Sequence, residues 1–522
     1  MKVFFAAQGS ILSIFHSMDE QLRRRGVIEK SAYWVADSEY YHSKLGKLAL
    51  LTDSSTKIFK EWEYTDSTRL RLPDNWQALE KKYESVGPLW DAIVADRRLM
   101  HGLLCKTKQQ YRGHFTHEEL KAIIYSALHD IDEFVLDLRP DRVVTFVPAT
   151  FGDNLLYFAA LANGIEYRVL RSTKVENYVA FSDQLGASST WMEALYIDNL
   201  VDQESKEHYQ KACEFLANGA DAPIDYEGSL ATKRNTVFSL IKRYIAGAAG
   251  AAVITFRRIA KGIASDNHLP PALGTYFHGN LLREIREKRI RNIMRNRQFS
   301  IDDIGGLNYV FYPMHCEPEV ALSVYGREHQ NQIETIRRVA QNIPLSWKLV
   351  VKEHPRSISY RSKKYCEKLL DIPNLVFADP DTKPFYWNQK SRAVVTVSGF
   401  AGFEAAMVGV PVIVLGDASF SLLPSTMLRT VKSMEVFAAE MKSLLQNYSR
   451  SERHLIAYIM ANMQVGVDVN LYSDLLAKTG RISMNADDVA TQISRLTDWM
   501  MSDLHCKHPY QKNLKLMDDK DE

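Results

Sequence analysis

The sequence predicts an α/β protein of two facing domains, each built on a largely parallel sheet, with a helical insertion between them. Three observations carry that prediction. A strand, a glycine turn and an amphipathic helix open the chain over residues 2–25. A second strand–helix–strand unit runs over residues 142–170. From Asn308 to residue 416, short apolar runs alternate regularly with helical stretches. Strand, crossover helix and next strand build parallel sheets, and repeats of that unit build sheets covered on both faces.

The elements follow in order. KVFFAA (2–7) reads as a buried strand and Gln8-Gly9-Ser10 as a turn; the helix after it runs to Arg25 and is stopped by Gly26. Gln8, Gly9 and Ser10 break the N-terminal apolar run and no small-x-small site closes it, so the segment reads as structure and not as a secretion signal. AYWVA (32–36) supplies a further strand, and residues 75–135 are mainly helical. RVVTFVPA (142–149) is an apolar strand, Thr150–Asn154 a loop, LLYFAALANG an apolar helix ending at Gly164, and IEYRVL the next strand.

Residues 200–305 are helical, polar and basic, with no strand pattern. YIAGAAGAAVITF (244–256) is an apolar run of 13, too short to span a bilayer, and residues 283–297 carry seven Arg or Lys against two Glu. Within it, the basic part at 233–297 reads either as a solvated face over the interdomain cleft or as a surface resting on an anionic membrane. YVFYP (309–313), WKLVVK (347–352), NLVFA (374–378), AVVTVS (393–398) and PVIVLG (411–416) are strands, separated by helices over 327–342, 358–370 and 402–408. Five strands with alternating helices make a Rossmann-like domain. The expected domains are therefore 1–199, a helical basic insertion at 200–305, and 306–500, whose terminal helices cross back toward the first. Residues 501–522 form a polar tail.

The 522 residues allow two or three domains with large cores. A composition of 46% hydrophobic and 25% charged residues is that of a globular protein, and a net charge of +2 gives no global field for nucleic acid. Cys105, Cys213, Cys316, Cys366 and Cys506 are far apart and form no CxxC pair. That argues against a disulfide framework or a zinc cluster and for a reducing, cytoplasmic compartment.

Four loops hold candidate chemistry, each at the carboxyl end of a strand, where ligands bind in open α/β sheets. Lys352-Glu353-His354-Pro355 follows WKLVVK. Pro355 turns the chain, His354 can donate to a phosphate, and Lys352 adds positive charge; the alternative is a solvated polar loop. Ser398-Gly399-Phe400-Ala401-Gly402-Phe403-Glu404 follows AVVTVS. Gly399 and Gly402 let backbone N–H groups approach an anion, and Ser398 can donate. Glu404 either accepts from ribose hydroxyls or complements the helix dipole. Pro313–Glu319 holds a histidine and two carboxylates, of which Glu319 is the candidate for catalysis. Gly152-Asp153-Asn154 borders the cleft if the two sheets face each other. Asp153 is there either the base that deprotonates an acceptor hydroxyl or a helix N-cap.

YPMHCEPE, Asn331-Gln332, LVVKEHP and VTVSGFAGFEAAMVGVPVIVLGD together resemble the capsule polysaccharide biosynthesis family, which includes capsule Kdo transferases. RVLRSTKVENYVAFSD (168–183) is similar to that family's N-terminal half. The His-Pro pair followed by a serine-containing glycine turn also resembles bacterial GT-B sialyltransferases. The resemblance implies a GT-B-like fold and a glycosyltransferase with a nucleotide-sugar co-substrate, CMP-linked or other, and no metal or further cofactor. It implies that His354 and Ser398 hold the nucleotide phosphate and that Glu404 serves donor recognition. It also implies a glycan or lipid-linked acceptor; the enzyme is expected to be cytoplasmic, with a peripheral contact at the inner membrane through the basic segment, and nucleic acid is not an expected partner. Competing readings are a UDP-sugar 2-epimerase and a non-catalytic protein of polysaccharide assembly or export. A CDP-polyol phosphotransferase is disfavoured, because VTVSGFAG stands where such enzymes carry Asp-Tyr-Ser-Ser.

Overall fold

Two seven-stranded sheets organise the computed structural model, which describes residues 1–49, 53–66, 68–105, 107–109, 113–223, 237–260, 262, 269–476 and 486–505. The strands in chain order are β1 (Lys2–Ala7), β2 (Lys30–Val35), β3 (Lys57–Lys60), β4 (Arg142–Phe146), β5 (Glu166–Ser172), β6 (Tyr178–Ser182), β7 (Gln298–Phe299), β8 (Tyr309–Pro313), β9 (Lys348–Lys352), β10 (Leu375–Ala378), β11 (Ala393–Thr396), β12 (Val412–Val414), β13 (Leu428–Thr430) and β14 (Gly466–Asp468).

The first sheet runs β14-β6-β5-β4-β1-β2-β3, and β1 pairs in parallel with both β2 and β4. The second runs β13-β12-β11-β8-β9-β10-β7 and is parallel throughout. Read from its first long strand, β8, the second sheet has the doubly wound order 3-2-1-4-5-6, and the core of the first has 3-2-1-4-5. The fold is α/β, with two facing Rossmann-like sheets, as the sequence predicts.

Alternation explains why the strands read as continuous apolar runs. Phe4 and Ala6 join one core cluster, while Val3, Phe5 and Ala7 join another on the opposite face of the sheet. Tyr309 and Phe311 likewise point away from Val310 and Tyr312. Both faces of each sheet are covered, so apolar residues dominate these strands.

Several short strands escape the pattern. β3, β7, β13 and β14 have only two to four residues, too few to show a period of two. Two of them change the organisation. β7 edges the second sheet although it lies in the stretch read as purely helical, and β14 completes the first sheet from the far end of the chain, pairing antiparallel with β6. The helix Ala486–His505 then packs on the helix Ile11–Arg24, where Arg25 pairs with Asp498. The helices Thr190–Asn199 and Tyr209–Asp221 join the core of the second sheet through the helix Glu452–Gln464. Most of the tail read at 501–522 lies outside the described residues.

Candidate active site

Doubly wound order fixes where a ligand can sit. Strand order reverses between β8 and β11 in the second sheet and between β1 and β4 in the first, and the crevice opens at the carboxyl ends there. A cavity of about 570 Å³ occupies this position between the two sheets. Val147 after β4 and Lys174 from the β5–β6 hairpin line one side; His315, Glu319, His354, Pro355, Ser398, Gly399 and Glu404 line the other. The three candidate loops of the second sheet therefore converge, as strands β8, β9 and β11 dictate.

His354 accepts the Arg356 backbone N–H at its Nδ1, 3.2 Å away. That bond assigns the remaining ring proton to Nε2, making it a donor. Burial, reinforced by the charges of Arg356, Lys352 and Arg361, pushes the ring down to about 4, so it is neutral near pH 7. His315 sits across from it. Its Nε2 receives the Ser398 N–H at 3.4 Å, and its Nδ1 lies 4.0 Å from Glu319 Oε2. Burial, with Lys174 and His354 nearby, pushes His315 down to about 3. About half of the Glu319 side chain, 49%, remains open to the cavity. The cavity walls still withdraw enough solvent to raise its pKa, against the pull of Lys174 and Arg356.

A buried ion network braces two of these loops. Arg361, buried, donates through Nε to Glu353 Oε2 at 2.7 Å and through Nη1 to Glu317 Oε2 at 2.6 Å. Tyr365 donates to the other Glu317 oxygen at 2.9 Å, and Gln332 accepts the His315 N–H at 2.8 Å. The network ties the loop after β8 to the loop after β9, setting His315 and His354 against each other. Bidentate geometry of this kind suits Arg and not Lys.

Four sequence assignments change in the fold. Asp153 does not line the cavity. It is 1% exposed, and its Oδ2 accepts from the Gln8 amide, the Ala149 and Thr150 N–H groups and the Thr150 hydroxyl. Thr150 is the N-cap, and Asp153 is the third-position partner of a capping box. Burial and the charge of Glu61 raise its carboxyl to about 8. Lys352 directs its ammonium to the Pro380 carbonyl at 2.8 Å, and burial lowers it to about 8. Gly402 is a packing glycine: a Cβ there would lie 2.9 Å from Phe420 Cζ and from Thr396 Cγ2. The Gly399 N–H is donated to Thr396 Oγ1 at 3.0 Å and not held out for a ligand. Its missing Cβ matters in another way, because one would stand 3.2 Å from His315 Cε1.

Lys174 escaped the sequence reading. It sits in the turn of the β5–β6 hairpin at φ 64, a conformation that tightens the turn. Its Nζ lies 5.9 Å from the Phe400 ring centroid, and burial lowers its pKa while Glu319 raises it. It lies within RVLRSTKVENYVAFSD (168–183), but nothing in that stretch singles it out, since only the facing of the two sheets brings it to His315. Among the described residues, no group of three or more His, Cys, Asp or Glu is placed to hold a metal ion.

The model of a family described as capsule polysaccharide biosynthesis protein matches residues 262–459. No curated protein matches the chain. Among solved structures, the chain is similar to the beta Kdo 2,4 transferase of Thermosulfurimonas dismutans KpsC, with 14% identity, a TM-score of 0.36, and coverage of 68% of this chain and 87% of that one. It is also similar to the beta Kdo 2,7 transferase of the same protein, with 12% identity, a TM-score of 0.29, and coverage of 63% and 79%. UDP-GlcNAc 2-epimerase from Neisseria meningitidis, bound to UDP-GlcNAc, shows 12% identity, a TM-score of 0.26, and coverage of 96% and 100%. Residues 262–459, the stretch that this family model matches, contain all of the second sheet and the loops that carry His315, His354 and Ser398.

Proposed function

We propose that this protein is a glycosyltransferase of capsule polysaccharide assembly, taking a sugar from a nucleotide-sugar donor and passing it to a glycan or lipid-linked acceptor. The observation that carries the reading is the cavity at the two switch points, lined by a neutral, donating His354, by Ser398, whose hydroxyl donates to the Ala321 carbonyl at 3.2 Å, and by Lys174 opposite Glu319. His354 and Ser398 bind the donor phosphate, and Glu404 accepts from the ribose hydroxyls. Glu319 takes the proton of the acceptor hydroxyl as that oxygen bonds to the anomeric carbon. The bond from that carbon to the phosphate oxygen breaks, and the nucleotide leaves with the electron pair. His354 and Lys174 stabilise the charge that develops on it. A raised carboxyl suits Glu319 to the task, because a base is most effective with a pKa near the working pH. The step is proposed to need no metal, so EDTA is expected to leave turnover unchanged.

The test is a thermal-shift series with CMP, CDP, UDP, GDP and dTDP on the wild type and on His354→Ala and Ser398→Ala. One nucleotide class should stabilise the wild type, and each variant should bind it about tenfold or more weakly, the cost of a lost hydrogen bond to a charged group. Stabilisation by none of the five would overturn the reading.

A further inference from the structure

Seven of the eighteen exposed large apolar side chains among the described residues fall between residues 245 and 285. On the helix Val237–Ala260, Ile245, Val253, Phe256 and Ile259 are exposed, with Phe256 at 74%, and the spacing sets them along one stripe. Leu273 and Phe277, one turn apart on the returning helix, are exposed as well. The opposite side of the long helix is where the hairpin closes. Tyr276 donates to the Tyr244 carbonyl at 2.9 Å, and a Cβ on Gly247 would lie 2.9 Å from the Tyr276 ring. The stripe is thus an outer face, left open after the hairpin has packed.

Charge says what covers it. Val237–Ala260 contains no Asp or Glu, and Arg257 stands exposed beside Phe256. On the helix Arg283–Arg295, Ile285 is 63% exposed, and Lys288 and Arg289, three and four residues on, are exposed on the same side. Apolar side chains interleaved with cations match a surface of apolar chains and anionic headgroups, where basic stems bury their methylenes and keep their charge in water. Pairing with a second copy would set like charges against each other. No described helix is long and apolar enough to cross a membrane, so the match is to a helix lying in the interface. Its anchorage suits that position. Arg258 pairs with Glu39 at 3.0 Å, in the helix after β2, and Arg291 pairs with Asp381 at 3.1 Å, in the loop after β10. Both partners sit at the carboxyl ends of their sheets, the side on which the cavity lies.

We propose that the apolar, basic face of residues 245–289 docks this protein on the surface of an anionic lipid bilayer, holding the cleft beside the membrane. The claim stands apart from the identity of the donor, since vesicle binding and nucleotide binding are read separately.

The test is flotation of the full chain with vesicles of phosphatidylcholine alone and of equal parts phosphatidylcholine and phosphatidylglycerol. Binding is expected to the anionic vesicles only. Phe256→Asp should weaken it about tenfold or more, the loss of one buried aromatic side chain, with the melting temperature kept because the ring is exposed. Lys288→Glu with Arg289→Glu should weaken it by a similar factor, and added salt should do the same. Leu345→Asp, at a fully exposed leucine outside this face, should bind as wild type. Failure to float with either vesicle overturns the proposal. So does binding that ignores lipid charge, or a wild-type dimer that Phe256→Asp dissolves while vesicle binding is absent.

Discussion

His315 and His354 face each other across one cavity, and both are held neutral mainly because burial withholds the water a charged ring needs. The pH consequence has a definite sign. An unfolded histidine takes up a proton below about 6.5, whereas these rings resist protonation down to about 3 and 4. Between those values the unfolded chain binds protons that the folded chain does not, so stability is full above pH 6.5 and falls as the pH drops toward 4. A buried ring like His315 contributes about 1.4 kcal/mol per pH unit in that window. Melting temperatures measured from pH 7 to pH 4.5 should therefore fall more steeply for the wild type than for His315→Gln. Parallel slopes would mean that His315 is not held neutral by the fold. The same scale holds an alternative that only the fold decided. Asp153 has the residue type of a base, but capping a helix calls for the same carboxylate, and a single sequence does not separate the two uses.

Among the elements, the turn from β4 into the helix Phe151–Ala162 shows how tightly the cleft edge is built. Gly152 lies against the buried indole of Trp34; a Cβ would stand 1.9 Å from Trp34 Nε1 and 2.6 Å from Glu61 Oε2. Neither neighbour is free to retreat, because Trp34 donates to Glu61 at 2.8 Å and Glu61 also pairs with Arg98. Gly152→Ala is expected to cost about 1–3 kcal/mol or more through overpacking. Gly164→Ala, at φ +63 with nothing within 4 Å, carries backbone strain alone, about 1 kcal/mol or a little more. Urea unfolding of the two variants checks the order, and an equal loss in both would show that the Trp34 contact yields. Long apolar strands such as β1, β8 and β9 were legible at this level because five or six residues suffice to show burial. β13 and β14 were not, since three residues form a strand only where a neighbour is already in place.

Across the whole molecule, the two sheets are fastened beside the cavity by the loop after β6. Asp417, after β12, accepts the Ala187 N–H at 2.5 Å and the Ser188 hydroxyl at 2.8 Å. Arg171 holds that loop from behind by donating to the Ser188 carbonyl at 2.8 Å. A second tie is the ion pair of Arg327 with Asp91. Asp417→Ala removes two hydrogen bonds to a carboxylate, worth about 1.5–3 kcal/mol each, at a contact between domains and not within either core. Amide exchange at Ala187 should quicken and nucleotide affinity should fall, while the melting transition moves little. Unchanged exchange at Ala187 would show that Asp417 does not fasten the loop.

What the sequence determined by itself is the α/β class, five of the strands of the second sheet, and the loops holding His315, His354, Ser398 and Glu404. Each of these rests on a local pattern: an apolar run, a glycine turn, or polar residues at a strand's carboxyl end. Tertiary structure alone decided the rest. Lys174 reaches the cavity because a hairpin of the first sheet faces the loops of the second. Arg361 matters because it meets two buried carboxylates from different loops, and β14 returns to the first sheet from the far end of the chain. Asp153, Lys352 and Gly402 were legible as residue types but not in use, because whether a carboxylate, an ammonium or a missing side chain serves a ligand or the fold depends on what packs against it.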